Sequence, residues 1–217
     1  MSEVLSATPG RAQRAQLART SARTIAIACA VAGAGGLAAA AIGLAAGEGD
    51  VERWRLAARY TARFAFCLFL PVYAASAWHR LAPSALSRLV LARRRALGLA
   101  FASAHSVHLA ALTAVLRATG EAPEVATIVG GGGAYLATFA LAATSNDAAV
   151  RALGRRWRTL HRVGVHWIWF VFAFSYSGRV ARGDLFYAPL LALALGALGL
   201  RAAAWWSRRR ARSEGRS

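Results

Sequence analysis

The run ALGLAFASAHSVHLAALTAVL, Ala96 to Leu116, decides how the chain is read. Its 21 residues contain no charge, and at 1.5 Å per residue a helix of this length reaches about 32 Å. A bilayer core is about 30 Å thick, so the run predicts a membrane-spanning helix. Two histidines, His105 and His108, lie inside it. Polar residues at that depth are expensive and mark function.

Five further runs flank it: Thr24 to Gly47, Tyr60 to Trp78 with Pro71 inside, Val125 to Ala143, Val163 to Tyr176, and Leu185 to Trp206. The expected fold is therefore all-α, an integral membrane bundle of about six transmembrane helices across residues 24–206. Residues 1–23 read as a short disordered cytoplasmic tail, and 207–217 as a basic cytoplasmic tail. The first run is longer than the apolar stretch of a secretory signal and reads as a retained span. Hydrophobic residues make up 57% of the chain, which leaves no room for a separate soluble catalytic domain.

The formal charge of +18 would suggest nucleic acid in a soluble protein. Every basic residue here is arginine, and all but Arg63 and Arg201 sit between and beyond the apolar runs. Twenty fall on the N-terminal tail, the second and fourth connections and the C-terminal end; seven fall on the opposite loops. Basic loops stay cytoplasmic, so six spans with both termini inside fit this split. The partner implied is a lipid bilayer, that of a bacterial inner membrane, and no nucleic acid. Cys29 and Cys67 both lie within apolar runs and read as small core residues.

No Asp or Glu lies within the runs to suggest a proton relay or an ion pathway. Histidine is the chemistry that remains: His79, His105, His108, His161 and His166 fall within or at the ends of the second, third and fifth helices. His105 and His108 are three apart and share a helix face. His161 and His166 are five apart, about 140° round a helix, and point to different faces. Neutral imidazole ligates haem iron and other metals. Zinc is disfavoured, because neither cysteine nor carboxylate stands by to complete a four-ligand set. Glycines 33, 35 and 36 and the run Gly130 to Gly133 allow close helix packing, or leave a bare face for a flat cofactor.

Two motifs carry a family resemblance. One is Arg94-Arg95-Ala96-Leu97-Gly98-Leu99, with His108 ten residues after Gly98. The other is Thr144-Ser145, then seven residues, then Leu153-Gly154-Arg155-Arg156-Trp157-Arg158-Thr159-Leu160-His161. A weaker match is Thr61-Ala62-Arg63. Together they resemble the ferric-reductase-like transmembrane family, most closely its MsrQ (YedZ) branch, over residues 60–176. The resemblance implies b-type haem held between helices three and five and electron transfer across the membrane. His108 and His161 correspond to ligand histidines. Arg94 stands where two-haem relatives carry His or Arg.

The family usually has a second helix-five histidine thirteen residues after the first, and here that position is Phe174. His108 lies about 18 Å into its helix, whereas His161 sits near the cytoplasmic surface, and His166 is too shallow to partner His108. Three arrangements stay open: a cytoplasmic-side haem on His161 with His79 or Arg94 nearby, a deeper five-coordinate haem on His108, or a scaffold that has lost its haem. The electrons would come from a flavoprotein or the quinone pool, since nothing resembles a dinucleotide fingerprint here. They would leave to an outside, periplasmic acceptor. The competing expectation is a non-redox partner or scaffold subunit.

Overall fold

The computed structural model describes residues 11–214. Among these the chain is helical throughout, with no strand. Five helical segments are long and apolar enough to cross a membrane: Ala18–Ala46, Asp50–Leu81, Arg94–Thr119, Val125–Ala143 and Leu185–Ser213. The protein is a multi-pass, all-helical membrane protein.

The first helix, α1 (Arg11–Ala46), begins well inside the stretch expected to be a disordered tail. Its opening residues 11–23 are helical; residues 1–10 lie outside the described region. Alanine, the best helix former, fills the rest. Its glycines serve packing. A Cβ at Gly33 would come within 3.1 Å of Ser103, at Gly35 within 2.5 Å of Phe64, and at Gly36 within 3.3 Å of Val107. The tightest approach is Gly43, where an added Cβ would strike the backbone of Leu56 and Ala57. Gly43→Leu is therefore expected to cost about 1–3 kcal/mol through overpacking, seen as a lower thermal midpoint in detergent.

Gly49, at φ +74°, turns the chain into α2 (Asp50–Leu81). This helix starts ten residues before the apolar run does, because Asp50 and Glu52 suit the positive end of a helix dipole. Short α3 (Ala85–Ala92) follows, opened by a reciprocal capping box between Ser84 and Ser87. Next, α4 (Arg94–Thr119) ends at Gly120 in the left-handed conformation.

The glycine run behaves differently from those of α1. Between α5 (Val125–Thr127) and α6 (Gly133–Ala143), residues Ile128–Gly132 form a widened π turn. A Cβ at Gly130, Gly131 or Gly132 would meet nothing within 4 Å, so no neighbouring helix needs their bareness. Asn146 caps α7 (Asp147–Leu153), with its Oδ1 accepting from Ala149 N–H at 2.8 Å. Gly154, at φ +50°, leads into α8 (Arg155–Ala181). This helix has the length to span, but His166, Trp167, Trp169, Ser175, Tyr176 and Ser177 dilute its apolar run. A single 3₁₀ turn, Leu185–Tyr187, then starts α9 (Ala188–Glu214). The expected C-terminal tail is thus helical as far as Glu214.

Helix α2 lies at the centre and packs against α1, α4 and α9, while α8 packs against α6 and α9. The core is aromatic. Phe66, Phe69 and Tyr73 of α2 meet Phe101 of α4 and Phe172 and Tyr176 of α8. Ring centroids are 5.2 Å apart for Phe69–Phe101, 5.8 Å for Phe69–Phe172 and 5.1 Å for Phe66–Tyr176. Both cysteines are free thiols, and Cys67 faces outward rather than into this core.

Candidate functional site

A cavity of about 570 Å³ opens at the arginine-rich end of the bundle, between the facing walls of α4 and α8. Ligand sites commonly measure 300–1,000 Å³. Phe69 and Val72 of α2, Phe101 of α4, Leu141 of α6 and Val165 and Ile168 of α8 give it apolar walls. Arg94 and Arg95, Arg158 and Arg162, and Arg201 enter from α4, α8 and α9. His161 lies among them. Gly98 supplies a bare strip of α4, where an added Cβ would find only Val72 Cγ1, at 3.9 Å.

The local geometry explains the Thr-Ser…Trp…Leu-His pattern. Thr144 ends α6 and spends its hydroxyl proton on the Ala140 carbonyl at 2.6 Å. It therefore accepts from His161 Nε2–H at 3.1 Å, which leaves Nδ1 as the ring's lone-pair nitrogen. The Thr144 carbonyl also accepts from Trp157 Nε1 at 2.9 Å, and the Trp157 ring stacks on His161 with centroids 4.1 Å apart. One threonine thus holds both the imidazole and the ring lying against it. An imidazole fixed through its second nitrogen in this way is built like a metal ligand.

The other histidines lie elsewhere. His108 donates from Nδ1 to Thr61 Oγ1 at 3.0 Å, since Thr61 itself donates to the Ala57 carbonyl at 2.8 Å. His105 and His108 do share a face, with centroids 5.4 Å apart. Their surroundings are filled rather than hollow. His105 stacks between Phe101 (5.0 Å) and Tyr135 (4.5 Å), with Phe172 at 5.8 Å. His105 Nδ1 and the Tyr135 hydroxyl are both buried without a hydrogen-bond partner. His79 pairs with Ser87 Oγ at 3.0 Å and secures the start of α3. His166 donates to the Arg162 carbonyl at 2.7 Å and sits edge-on to Tyr73.

Of the six residues singled out from the sequence, the cavity gathers His161 and Arg94; His79, His105, His108 and His166 do not line it. His108 and His161 share no cavity. Phe174, the position of the expected second helix-five histidine, is 64% exposed on the outer face of α8. Thirteen residues from His161 is about 140° round the helix, whereas eleven residues is about 20°. Phe172 therefore shares His161's face, and it is the α8 side chain that reaches His105. No three His, Cys, Asp or Glu residues come together among the described residues.

Sequence reading passed over Arg201, counting it with the C-terminal arginines. Its one signal was position: it interrupts the last apolar run before Trp205 and Trp206. In the fold it reaches back to α2, donating from Nη1 to the Tyr73 carbonyl at 2.8 Å and lying 4.5 Å over the Tyr73 ring.

Comparison with known proteins finds partial likeness to one kind of protein. The protein-methionine-sulfoxide reductase haem-binding subunit MsrQ of Bordetella pertussis is 38% identical over 99 residues. Its counterparts in Bordetella parapertussis and Bordetella bronchiseptica are 37% identical over the same length. Each match covers 44% of this chain and 45% of the relative, so the chain spans about half the length of the curated relatives it matches. No family model matches the chain, and no solved structure does. The chain is distantly similar to the MsrQ subunits.

Proposed function

We propose that this chain is a haem-binding electron-transfer subunit of a bacterial inner membrane. In this reading it crosses the membrane six times, with α8, fifth in chain order, added to the five apolar spans, and with both termini cytoplasmic. The arginine asymmetry supports that orientation. The observation that carries the proposal is the cavity around His161, whose Nε2 lies in hydrogen-bond contact with Thr144 Oγ1 at 3.1 Å.

The residues present fit a flat, acidic, iron-bearing group. The bare strip at Gly98 leaves room for a planar face. His161 would supply a ligating ring nitrogen. Arg158 and Arg162 suit propionate carboxylates, which the planar guanidinium fork pairs well. Phe69, Phe101 and Ile168 exclude water from the inner wall. When bound, b-type haem supplies one-electron ferric–ferrous chemistry. The chain's own contribution is ligation, burial and the charge around the site.

The donor is a cytoplasmic flavoprotein or the quinone pool, and the acceptor lies outside the membrane. By likeness to the MsrQ subunits, whose name ties them to protein-methionine-sulfoxide reductase, the acceptor is a partner subunit reducing oxidised methionine. Membership of the wider ferric-reductase-like family is part of the same proposal and rests on the motifs around His108 and His161.

An absorption spectrum of the detergent-purified protein, oxidised and then dithionite-reduced, tests the reading. A Soret band with sharp reduced α and β bands is expected. A colourless protein from haem-supplemented cells would overturn it in favour of a scaffold subunit that keeps the fold without haem.

A further inference from the structure

The cavity holds more positive charge than the protein balances. Of its five arginines, Arg95 pairs with Asp147 at 3.0 Å. Among the described residues the only other ion pair is Arg59–Glu52, far from the cavity. Arg94, Arg158, Arg162 and Arg201 thus line it with no carboxylate beside them. Arg94 and Arg158 belong to the first turns of α4 and α8, and Arg162 lies seven residues into α8, about 10 Å along it. Arg201 enters from α9 and reaches a similar depth. Its anchor, the Tyr73 carbonyl, lies eight residues inside the end of α2 at Leu81, about 12 Å along the helix.

A guanidinium at that depth is costly without an anion. Arg201 has five N–H donors, and one goes to Tyr73. None of the others is sealed within the protein, and the side chain lines the cavity. The carbonyl on one side and the Tyr73 ring on another hold the fork in place before any ligand arrives. Ordering costs little there, and the unmet donors need an acceptor that no neighbouring residue provides.

We propose that Arg201 is the anion anchor of this cavity: it binds a carboxylate of the ligand inside the membrane and makes the site select acidic porphyrins over their neutral esters. The ligand class rests on the haem reading above; the anchoring does not depend on ligation by His161. Arg201 acts as a binding residue that determines specificity.

Metal-free protoporphyrin IX and its dimethyl ester separate the two ideas, because neither carries iron. Their affinities are read by tryptophan quenching in the detergent-purified full chain, where Trp157 lines the cavity. The wild type is expected to prefer the diacid by about tenfold or more, the scale of a hydrogen bond to a charged group. Arg201→Gln should remove most of the preference, leaving the part that Arg158 and Arg162 supply, while the ester's affinity stays unchanged, which also shows that the variant has folded. Arg201→Lys should keep part of the preference. His161→Ala should retain all of it. A wild type that binds both forms equally, an Arg201→Gln variant that discriminates as strongly as the wild type, or failure of either porphyrin to bind would each overturn the proposal. Preference intact in a protein that shows no haem spectrum would sink the haem reading and leave the anchor standing.

Discussion

His161→Ala is expected to cost the protein its haem while leaving insertion and helix content intact. Disturbing a partner behind a ligand typically weakens metal binding by 10–100-fold, so removing the ligand itself should exceed about 100-fold. Thr144→Val provides the graded comparison. It keeps the side chain's size but removes the oxygen that receives His161 Nε2–H, and a loss of about 10–100-fold is expected. Haem per chain, from the reduced-minus-oxidised spectrum, measures both. Full retention in His161→Ala, with loss in His108→Ala, would move the site to the buried pair on α4. The surroundings of that pair argue against this, because rings of Phe101, Tyr135 and Phe172 already occupy the space.

Phe172→Ala should give the largest loss of stability. The residue is 7% exposed and touches four rings: Phe66 at 5.3 Å, Phe69 at 5.8 Å, His105 at 5.8 Å and Tyr176 at 6.0 Å. It joins α2, α4 and α8 within their shared aromatic core. Truncating a buried phenylalanine costs about 3–5 kcal/mol, part of it the void left behind. Thermal unfolding in detergent reads the change. Phe174→Ala serves as the control. That side chain stacks only on Phe170 along the outer face of α8, and a loss below about 1 kcal/mol is expected. Equal losses at the two positions would mean that α8 is rotated from the orientation described.

The membrane class and the positions of the apolar runs could be read directly, because hydrocarbon thickness imposes a length and a lack of charge on each span. The ends of the helices could not. Helix α2 begins ten residues before its apolar run, and α1 well before residue 24, because helices continue into the headgroup region, where arginine is tolerated. The short helices α3 and α7 were missed, since their caps at Ser84 and Asn146 lie in connections too short and basic to stand out. His161 and Arg94, singled out through their motifs, both line the cavity. Arg201 was not singled out, because it touches Tyr73, 128 positions away, and a long-range contact leaves no local pattern. The outward direction of Phe174 could not be read either, because a count of thirteen residues along the chain does not say what its helix face meets.

The last helix has a role in timing as well as in structure. Helix α9 brings Arg201 to the cavity and receives Trp169 Nε1–H at the Ala194 carbonyl, 2.8 Å away. Every other wall is made earlier in synthesis. A nascent chain that has released α2, α4, α6 and α8 into the bilayer therefore still presents an open trough. The pocket becomes a container only once α9 has emerged and docked, after the helices that form its other walls.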